Sequence, residues 1–257
     1  MLETLIETKN LTINFGGLKA VNNVSLPIHK GLFTTIIGPN GAGKTTFFNL
    51  ISGLLQPTEG TVHFKGTDIT RLSPMQRIFL GIGRSFQLTN VFPTLTVHEN
   101  VRLALQARER VGYRVFTSHR KFTRLGEETG ELLKQVLLED KAKYPAGSLN
   151  HGEQRKLELA MVLALQPEVL LLDEPTAGMA LEEVPAMFEL LEKTKQQQKN
   201  TILLIEHKMD LVTKLSDHVV VMVNGGILTR GTPEEVSANP EVLKAYLGGG
   251  IYNGATA

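Results

Sequence analysis

Short apolar segments separated by turn residues run through the first part of the chain. In four of them apolar and polar residues alternate, or the apolar run is short and bounded by glycine or proline, and both patterns predict β-strands. The predicted strands are Leu5–Phe15, Val24–Ile28, Thr34–Ile37 and Thr61–Phe64. A helix is predicted over Lys44–Leu54, and Ser73 as cap with Pro74 in the first helical position indicates another helix start.

The pattern changes to a helical period between Val97 and Leu138. The apolar positions that follow this period are Val97, Val101, Leu103, Leu105, Leu132, Leu133, Val136 and Leu137. A basic segment, Arg108–Arg124, lies between the two apolar groups, so we predict a helical insertion with a basic segment inside it. Such a segment can contact anionic lipid or an acidic partner, but a solvent-exposed face is the more common outcome.

From Gly152 onward the predicted elements alternate between helix and strand. The strands are Val169–Leu172, Thr201–Ile205 and Val219–Val223. Nearly all their residues are apolar, as in strands covered on both faces, and helices between such strands predict a parallel sheet with right-handed crossovers. Pro240–Leu247 has the pattern of a short amphipathic helix, and residues 248–257 are expected to fray.

The composition is that of a folded protein and excludes several function classes. Of the 257 residues, 42% are hydrophobic, the formal net charge is +1, and cysteine is absent. So small a charge gives no overall field toward nucleic acid or anionic membranes, and we expect no nucleic-acid partner. The lack of cysteine excludes disulfides and thiolate metal sites. No apolar run approaches the ~20 residues that span a bilayer, and the N-terminus carries acids where a signal peptide carries bases, so we expect a soluble, cytoplasmic protein.

The strongest chemical signal is the segment Gly38–Thr46, with the sequence Gly-Pro-Asn-Gly-Ala-Gly-Lys-Thr-Thr. It lies between a predicted strand and a predicted helix, which is the context that a phosphate-binding loop needs. Its glycines let consecutive N–H groups face one anion, aided by the positive end of the following helix. Lys44 offers a charge to the β- and γ-phosphates, Thr45 a hydroxyl to Mg²⁺, and Thr46 a contact to an inner phosphate. The chain is therefore predicted to bind a nucleoside triphosphate.

Two adjacent carboxylates, Asp173 and Glu174, follow the predicted buried strand Val169–Leu172. Neighbouring residues at a strand end point in different directions, so one carboxylate can hold Mg²⁺ through water while the other faces an attacking water. We assign Asp173 to the metal and Glu174 to the water as general base. Taken alone, two acids at a strand end are about as often solvent-exposed residues without a function as they are functional residues. The phosphate loop upstream is what favours the catalytic assignment.

Three weaker signals involve polar residues near the ends of predicted elements. Gln87 can ligate Mg²⁺ or orient water through a neutral amide, and His207 follows the strand Thr201–Ile205, where ligands gather in parallel sheets. Alone, each is more often structural. Asn150 precedes the helix predicted over Arg155–Leu165 and can serve as its N-cap, and the glutamate three residues later makes the pattern close to a capping box. The N-terminus of a helix is also a place where anions bind.

Together these motifs resemble the ATP-binding cassette of an ABC transporter. The matches are Gly38–Thr46 to the Walker A loop, Leu170–Glu174 to the Walker B strand, Gln87 to the Q-loop, Leu149–Gln154 to the signature motif and His207 to the switch histidine. Order and spacing match over nearly the full length, and other phosphate-loop ATPases lack the signature motif. The resemblance implies an α/β fold with a mostly parallel sheet core, an N-terminal antiparallel β subdomain and an inserted helical subdomain.

The resemblance also implies roles for individual residues. ATP contacts are expected from Phe15 beneath the adenine and from Gly38, Pro39, Asn40, Gly41, Ala42, Gly43, Lys44, Thr45 and Thr46. Mg²⁺ is expected at Thr45, Gln87 and Asp173, and catalysis at Glu174, His207 and Gln87. Contacts in trans to the ATP of a partner cassette are expected from Asn150, Gly152 and Glu153.

Finer features resemble the branched-chain and hydrophobic amino-acid uptake group of this family. They are Phe15–Val21, Gly83–Gln87, His151–Arg155, Ala177–Met179, Ile205–Met209 and the ending Pro240–Gly248. The resemblance implies one cassette over residues 1–257, with a nucleotide-binding core at about 1–92 and 150–247, a helical subdomain at about 93–149 and a flexible tail at 248–257. Asn150 departs from the usual signature serine, and Ala180 stands where the D-loop often carries aspartate, so two shared ATP sites of a mixed dimer would be unequal.

One chain with one phosphate loop cannot complete a site of this kind, so the resemblance implies a head-to-tail dimer with two ATP molecules between the cassettes. The implied partners are a second cassette, identical or different, two transmembrane permease subunits and, indirectly, a substrate-binding protein. The implied location is the cytoplasmic face of the inner (plasma) membrane, peripheral through the permeases. ATP binding favours the closed dimer and hydrolysis releases it.

Three alternatives stay open at this stage. The first is an ABC ATPase that acts without a membrane partner, in DNA repair or on ribosomes. Repair ATPases carry long coiled-coil arms, but residues 87–149 lack sustained heptads and are too few to form such arms. Ribosomal types usually carry two cassettes in one chain, whereas this chain has one. An importer subunit for another cargo, such as urea, other amides or lipopolysaccharide, is equally compatible with a cassette that does not touch cargo. A module that holds ATP without hydrolysing it is disfavoured by the presence of Glu174 and His207.

Overall fold

The computed structural model of the chain describes residues 2–85, 91–109, 119–196 and 200–247. These residues form two compact units. The first unit contains the chain up to Arg77 and the chain from Gln198 onward, and the second contains Ile78–Gln197. No helix within the described ranges combines the length and the apolar character that a bilayer crossing requires.

The described residues form both strands and helices. The strands are β1 Thr4–Phe15, β2 Leu18–His29, β3 Phe33–Ile37, β4 Glu59–Phe64, β5 Thr67–Asp68, β6 Ile82–Arg84, β7 Val169–Asp173, β8 Thr201–Ile205, β9 His218–Val223 and β10 Gly226–Gly231. The helices are α1 Lys44–Ser52, α2 Pro74–Leu80, α3 Val97–Arg108, α4 His119–Gln135, α5 His151–Ala164, α6 Val184–Gln196, α7 Met209–Leu215, α8 Pro233–Ser237 and α9 Pro240–Leu247. All the strands and helices predicted from the sequence are present.

An antiparallel sheet in the first unit has the strand order β2-β1-β4-β5. Its second strand begins at Leu18, well before the predicted start at Val24. The pairing of β1 with β2 shifts register between the pairs Leu11↔Val24 and Ile13↔Val21, and Asn23 in that interval has a positive φ of 53°. This bulge breaks the apolar alternation while the strand continues, which is why the pattern alone gave too short a strand.

The first unit also contains the strands β10-β9-β3-β8, in that order. β3 pairs in parallel with both β8 and β9, and β10 is antiparallel to β9. In the second unit, β6 and β7 pair in parallel. All residues of β3, β7 and β8 are buried, as expected from their apolar sequences. The predicted α/β class, with an antiparallel N-terminal sheet and mostly parallel core strands, is confirmed.

A buried arginine secures the end of α1 that is remote from the phosphate loop. The Arg77 guanidinium donates at 2.7 Å to the carbonyls of Leu50 and Ile51 in the last turn of α1, at 2.7 Å to the Thr70 carbonyl and at 3.2 Å to the Leu72 carbonyl. Burial lowers the pKa of Arg77 to about 10. Its side chain therefore satisfies helix carbonyls that would otherwise lack partners inside the protein.

The predicted helical region between Val97 and Leu138 contains α3 and α4, but the last apolar position assigned to the helical period, Leu137, lies outside both helices. Leu137 is 54% exposed, whereas Leu138 is buried. The helix ends at Gln135, Leu137 has a φ of 58°, and the Leu138 N–H donates to the Leu133 carbonyl at 2.8 Å. This left-handed helix end reverses the chain, so the helical period stops two residues before the pattern does.

The basic segment is only partly a solvated surface. Arg108 is 17% exposed, and its two terminal nitrogens donate to the Glu128 carboxylate at 2.6 and 2.9 Å. Arg108 also donates to the Ala164 carbonyl at 3.1 Å, near the end of α5. The expectation of a solvent-exposed side chain is therefore wrong for Arg108. Arg124 is more exposed and pairs with Glu109 at 2.8 Å.

Several predictions fall outside what the structure describes. Arg110 and Arg114 lie outside the described residues, as do the side chains of His119, Arg120 and Lys121. The tail at 248–257 also lies outside them. The proposed limits of a nucleotide-binding core and of a helical subdomain at 93–149 stay predictions.

Candidate nucleotide-binding site

The phosphate loop leads from the end of β3 into α1, as predicted. Gly38 has a φ of 150°, and a Cβ there would lie 2.1 Å from the Met222 carbonyl oxygen. Gly43 has a φ of 94°, and a Cβ there would lie 2.2 Å from the Ala20 carbonyl oxygen. Both positions therefore require glycine for two reasons, the backbone conformation and the close approach of another chain segment.

Lys44 is buried at the first position of α1. Its Nζ donates to the carbonyl oxygens of Gly38 at 2.8 Å and of Pro39 at 3.0 Å, so the ammonium group lies within the curve of the loop. The first turn of α1, all of which the structure describes, holds no acidic residue. The positive end of this helix therefore remains available to an anion.

The remaining loop residues differ in their exposure. Asn40 and Gly41 are exposed, Pro39, Thr45 and Thr46 are half-buried, and Ala42 is buried. Thr45 and Thr46 belong to the first turn of α1, immediately after the lysine. Their hydroxyls thus lie at the end of the helix where phosphate oxygens and an associated cation are expected.

Two more predicted residues belong to the first unit. Phe15 ends β1 and is 47% exposed, so its ring is open to a ligand. His207 is exposed and follows the end of β8, which pairs in parallel with β3 so that Ile205 lies opposite Ile36. Gly38 and His207 therefore leave neighbouring strands at the same edge, where ligands of parallel sheets gather.

The two predicted carboxylates belong to the second unit, at the end of β7. Asp173 is buried, and Arg84 Nη2 donates to its Oδ2 at 3.4 Å. Burial lowers the pKa of Arg84, and the charge of Asp173 opposes that shift. Glu174 has a φ of 48°, a left-handed conformation that costs a non-glycine residue about 1–2 kcal/mol.

The start of α5 has the predicted capping box. Asn150 Oδ1 accepts the Glu153 N–H at 2.8 Å, and Glu153 Oε2 accepts the Asn150 N–H at 3.1 Å. Lys141 forms an ion pair with the second oxygen, Oε1, of the same glutamate. Glu153 is therefore held by both Asn150 and Lys141, and these contacts fix the backbone conformation at Asn150.

A second carboxylate, that of Glu183, packs against the same helix start. A Cβ on Gly152 would lie 2.5 Å from Glu183 Oε2, so glycine leaves the room that this carboxylate occupies. The same oxygen accepts the Ala180 N–H at 3.3 Å. The residues that depart from the family pattern, Asn150 and Ala180, are thus both held by local contacts within the second unit.

The predicted Mg²⁺ ligands have suitable chemistry. Thr45 offers a hydroxyl and Asp173 a carboxylate, both oxygen donors of the kind that Mg²⁺ prefers. The ion pair with Arg84 places a compensating positive charge beside the buried Asp173 carboxylate. Gln87, the third predicted ligand, lies outside the described residues. Thr45 and Asp173 are therefore each of a residue type that fits the ion.

Sequence reasoning missed three side chains that hold predicted site residues in place. They are Arg84, Lys141 and Glu183. For Arg84 a signal was present, because an arginine at the end of a short buried strand needs a partner charge. Lys141 and Glu183 gave none, since their contacts depend on how the chain turns between distant positions.

Two family models match the chain. Residues 21–177 match the model described as ABC transporter, which includes the phosphate loop and both carboxylates. Residues 227–252 match a model described as branched-chain amino acid ATP-binding cassette transporter.

Curated relatives are similar over almost the whole chain. The high-affinity branched-chain amino acid transport ATP-binding protein BraF of Pseudomonas aeruginosa is 39% identical over 253 residues, which covers 96% of this chain and 99% of the relative. The corresponding protein LivG of Escherichia coli strain K12 is 38% identical over 255 residues, with coverage of 96% and 99%.

Solved structures of cassettes share the fold. An ATP-binding cassette of an ABC transporter in its ADP conformation has a TM-score of 0.81 and 30% identity, covering 95% of this chain and 99% of that one. A bacterial ABC transporter cassette solved as a dimer has a TM-score of 0.76 and 28% identity, covering 89% of this chain and 99% of that one. The glycine-rich phosphate loop, the two adjacent carboxylates and these similarities support the same conclusion. The chain belongs to the ABC transporter family, as an ATP-hydrolysing cassette of the branched-chain amino acid transport group.

Proposed function

We propose that this chain powers an importer of branched-chain or other hydrophobic amino acids. The observation that carries the choice of cargo is the match of residues 227–252 to the branched-chain amino acid cassette model. The relatives named BraF and LivG support the same choice at 38–39% identity. The cassette does not touch cargo, so the proposal concerns the complex in which the chain works.

Nucleotide binding is assigned to the residues that the family motif and the loop geometry indicate. The N–H groups of the phosphate loop and the Lys44 ammonium bind the β- and γ-phosphates, and the exposed ring of Phe15 stacks on adenine. Thr45, Asp173 and Gln87 hold Mg²⁺, which supplies charge neutralisation for the transferring phosphoryl group. Glu174 accepts the proton of the attacking water, and His207 contacts the γ-phosphate.

The remaining half of each site comes from a partner cassette. Asn150, Gly152 and Glu153 lie at the start of α5 and contact the ATP held by that partner, with the Asn150 side-chain amide and the Gly152 N–H as the donors. A dimeric cassette among the similar structures supports this arrangement. ATP binding then favours the closed pair, hydrolysis releases it, and the movement is passed to two permease subunits. The chain is placed at the cytoplasmic face of the inner (plasma) membrane by those permeases, and a substrate-binding protein delivers the cargo.

The test is a reconstitution of the complex. The tagged chain is purified from its native membranes, and the co-purifying permeases and second cassette are reconstituted into proteoliposomes with the binding protein. We expect leucine, isoleucine or valine to stimulate ATP hydrolysis and radiolabelled leucine to accumulate in the vesicles. Stimulation by urea or another amide alone would replace the proposed cargo. Full ATPase activity of the dilute chain, with no membrane protein or second cassette attached, would contradict the transport role itself.

Asn150→Ser tests whether the unusual signature residue weakens one of the two ATP sites. Serine also caps helices well, so the start of α5 is expected to survive the change. We expect ATP hydrolysis by the assembled complex to rise about two- to fivefold, since a single improved hydrogen bond is worth about 0.5–1 kcal/mol. Phosphate release by the wild-type and variant complexes measures this. An unchanged rate means that asparagine serves this site as well as serine.

A further inference from the structure

Arg84 and Asp173 come from adjacent parallel strands in the second unit. Arg84 ends β6 and lies opposite Leu171 of β7, and Asp173 is two residues further along β7. Residues two apart on a strand point to the same face, so Asp173 is the diagonal neighbour of Arg84 on that face. Arg84 Nη2 donates to Asp173 Oδ2 at 3.4 Å.

This ion pair is enclosed by the protein. The Arg84 side chain is 7% exposed and the Asp173 side chain is 0% exposed. A surface ion pair is screened by solvent and contributes little, but a buried carboxylate that loses its partner is left with an uncompensated charge. The pair therefore compensates the Asp173 carboxylate and constrains its orientation.

The strand end that carries Arg84 is also anchored next to the pair. The Ser85 N–H donates to the Leu171 carbonyl at 2.9 Å, and its hydroxyl donates to the same oxygen at 3.5 Å. The backbone of β6 is thus fixed against β7 directly after Arg84. The backbone that carries the guanidinium is therefore held in place beside Asp173.

We propose that Arg84 is a positioning residue that orients Asp173 for the Mg²⁺ of the bound nucleotide. The inference rests on the proposed function, in which Asp173 is a ligand of that ion. Partners that hydrogen-bond to a metal-ligating carboxylate fix its direction, and their loss typically costs about 10–100-fold in metal affinity or activity. A carboxylate has acceptor capacity on both oxygens, so a bond from Arg84 to Oδ2 is compatible with one toward the ion or its water.

The test measures how strongly the ion and the nucleotide support each other's binding. The dissociation constant of a non-hydrolysable fluorescent ATP analogue is determined for the full chain in EDTA and in saturating Mg²⁺, and the ratio of the two is the coupling factor. For Arg84→Met we expect the coupling factor to fall about tenfold, with the dissociation constant in EDTA within about twofold of wild type. Because no turnover is involved, the readout is separate from hydrolysis.

Two further variants show whether Arg84 acts through Asp173. Asp173→Asn is expected to lower the coupling factor, and Arg84→Met is expected to have no additional effect in that background. Arg84→Lys keeps the charge but loses the planar fork, so we expect an intermediate loss. If the methionine variant does not fold, this lysine variant carries the test. Arg108→Met removes another largely buried arginine–carboxylate pair of the same unit and is the matched control, with an unchanged coupling factor expected.

The outcomes separate this inference from the proposal on which it rests. If Asp173→Asn lowers the coupling factor and the Arg84 variants leave it unchanged, Arg84 serves only to neutralise a buried charge. A coupling factor that rises in Arg84→Met would make Arg84 a competitor of the ion, which also overturns the inference. If Asp173→Asn itself has no effect, the assignment of Asp173 to the metal fails, whatever the Arg84 variants do.

Discussion

Replacement of Glu174 by glutamine is expected to stop ATP hydrolysis while ATP still binds. Glutamine has the shape of glutamate but cannot take a proton from the attacking water, and a positioned general base contributes about 10²–10⁴-fold to such a reaction. Glu174 has a left-handed backbone conformation after β7, and the isosteric side chain does not change what that conformation requires. We therefore expect turnover to fall at least about 100-fold, with nucleotide affinity retained.

The dimer is expected to persist in this variant, because ATP that is not hydrolysed keeps two cassettes together. Phosphate release gives the rate, and size-exclusion chromatography with ATP and Mg²⁺ gives the state of association. Glu182→Gln removes an exposed glutamate that has no assigned role, and it should leave both measurements unchanged. Hydrolysis by Glu174→Gln at close to the wild-type rate would remove Glu174 as the base.

Gly43→Ala is expected to destroy the phosphate loop. The added Cβ would lie 2.2 Å from the Ala20 carbonyl oxygen, a backbone atom that cannot rotate away. Alanine at a φ of 94° adds a conformational cost of about 1–2 kcal/mol, and forcing the two segments apart adds about 1–3 kcal/mol. We expect the free energy of unfolding to fall by about 2–5 kcal/mol and ATP binding to be lost.

Gly41→Ala is the matched control within the same loop. Gly41 also has a positive φ, 79°, but nothing lies within 4 Å of a Cβ placed there. Only the conformational cost of about 1–2 kcal/mol is expected in this variant. Urea unfolding of both variants measures the difference. Equal losses would mean that the backbone conformation alone, and not the contact with Ala20, makes Gly43 necessary.

The local features of the fold and site could be predicted because their causes lie within a few residues. The capping box of Asn150 and Glu153 needs only residues three apart, and the phosphate loop is recognised from its own glycines and its position between a strand and a helix. The buried strands follow from uninterrupted apolar sequence. The family resemblance supplied the roles of residues far apart in the chain, which periodicity and spacing do not reveal.

What the sequence could not predict depends on the path of the chain between elements. Leu137 continues the helical period but lies past the end of α4 in a left-handed turn that is usually made by glycine. Arg108 looked like part of a basic surface because its partner, Glu128, belongs to another helix. In both cases tertiary structure decided the outcome, and the local pattern contained no sign of it.

The internal hydrogen bonds of Lys44 have a consequence for the thermodynamics of nucleotide exchange. A free lysine side chain loses about 1.5–2 kcal/mol of rotamer entropy when it is immobilised. In this protein the ammonium is already held by the carbonyl oxygens of Gly38 and Pro39, so that loss is met when the chain folds. When a nucleotide binds, its phosphate oxygens replace these carbonyl oxygens as acceptors for an ammonium group that is already ordered. The exchange of nucleotide in each transport cycle therefore does not include this loss of side-chain entropy.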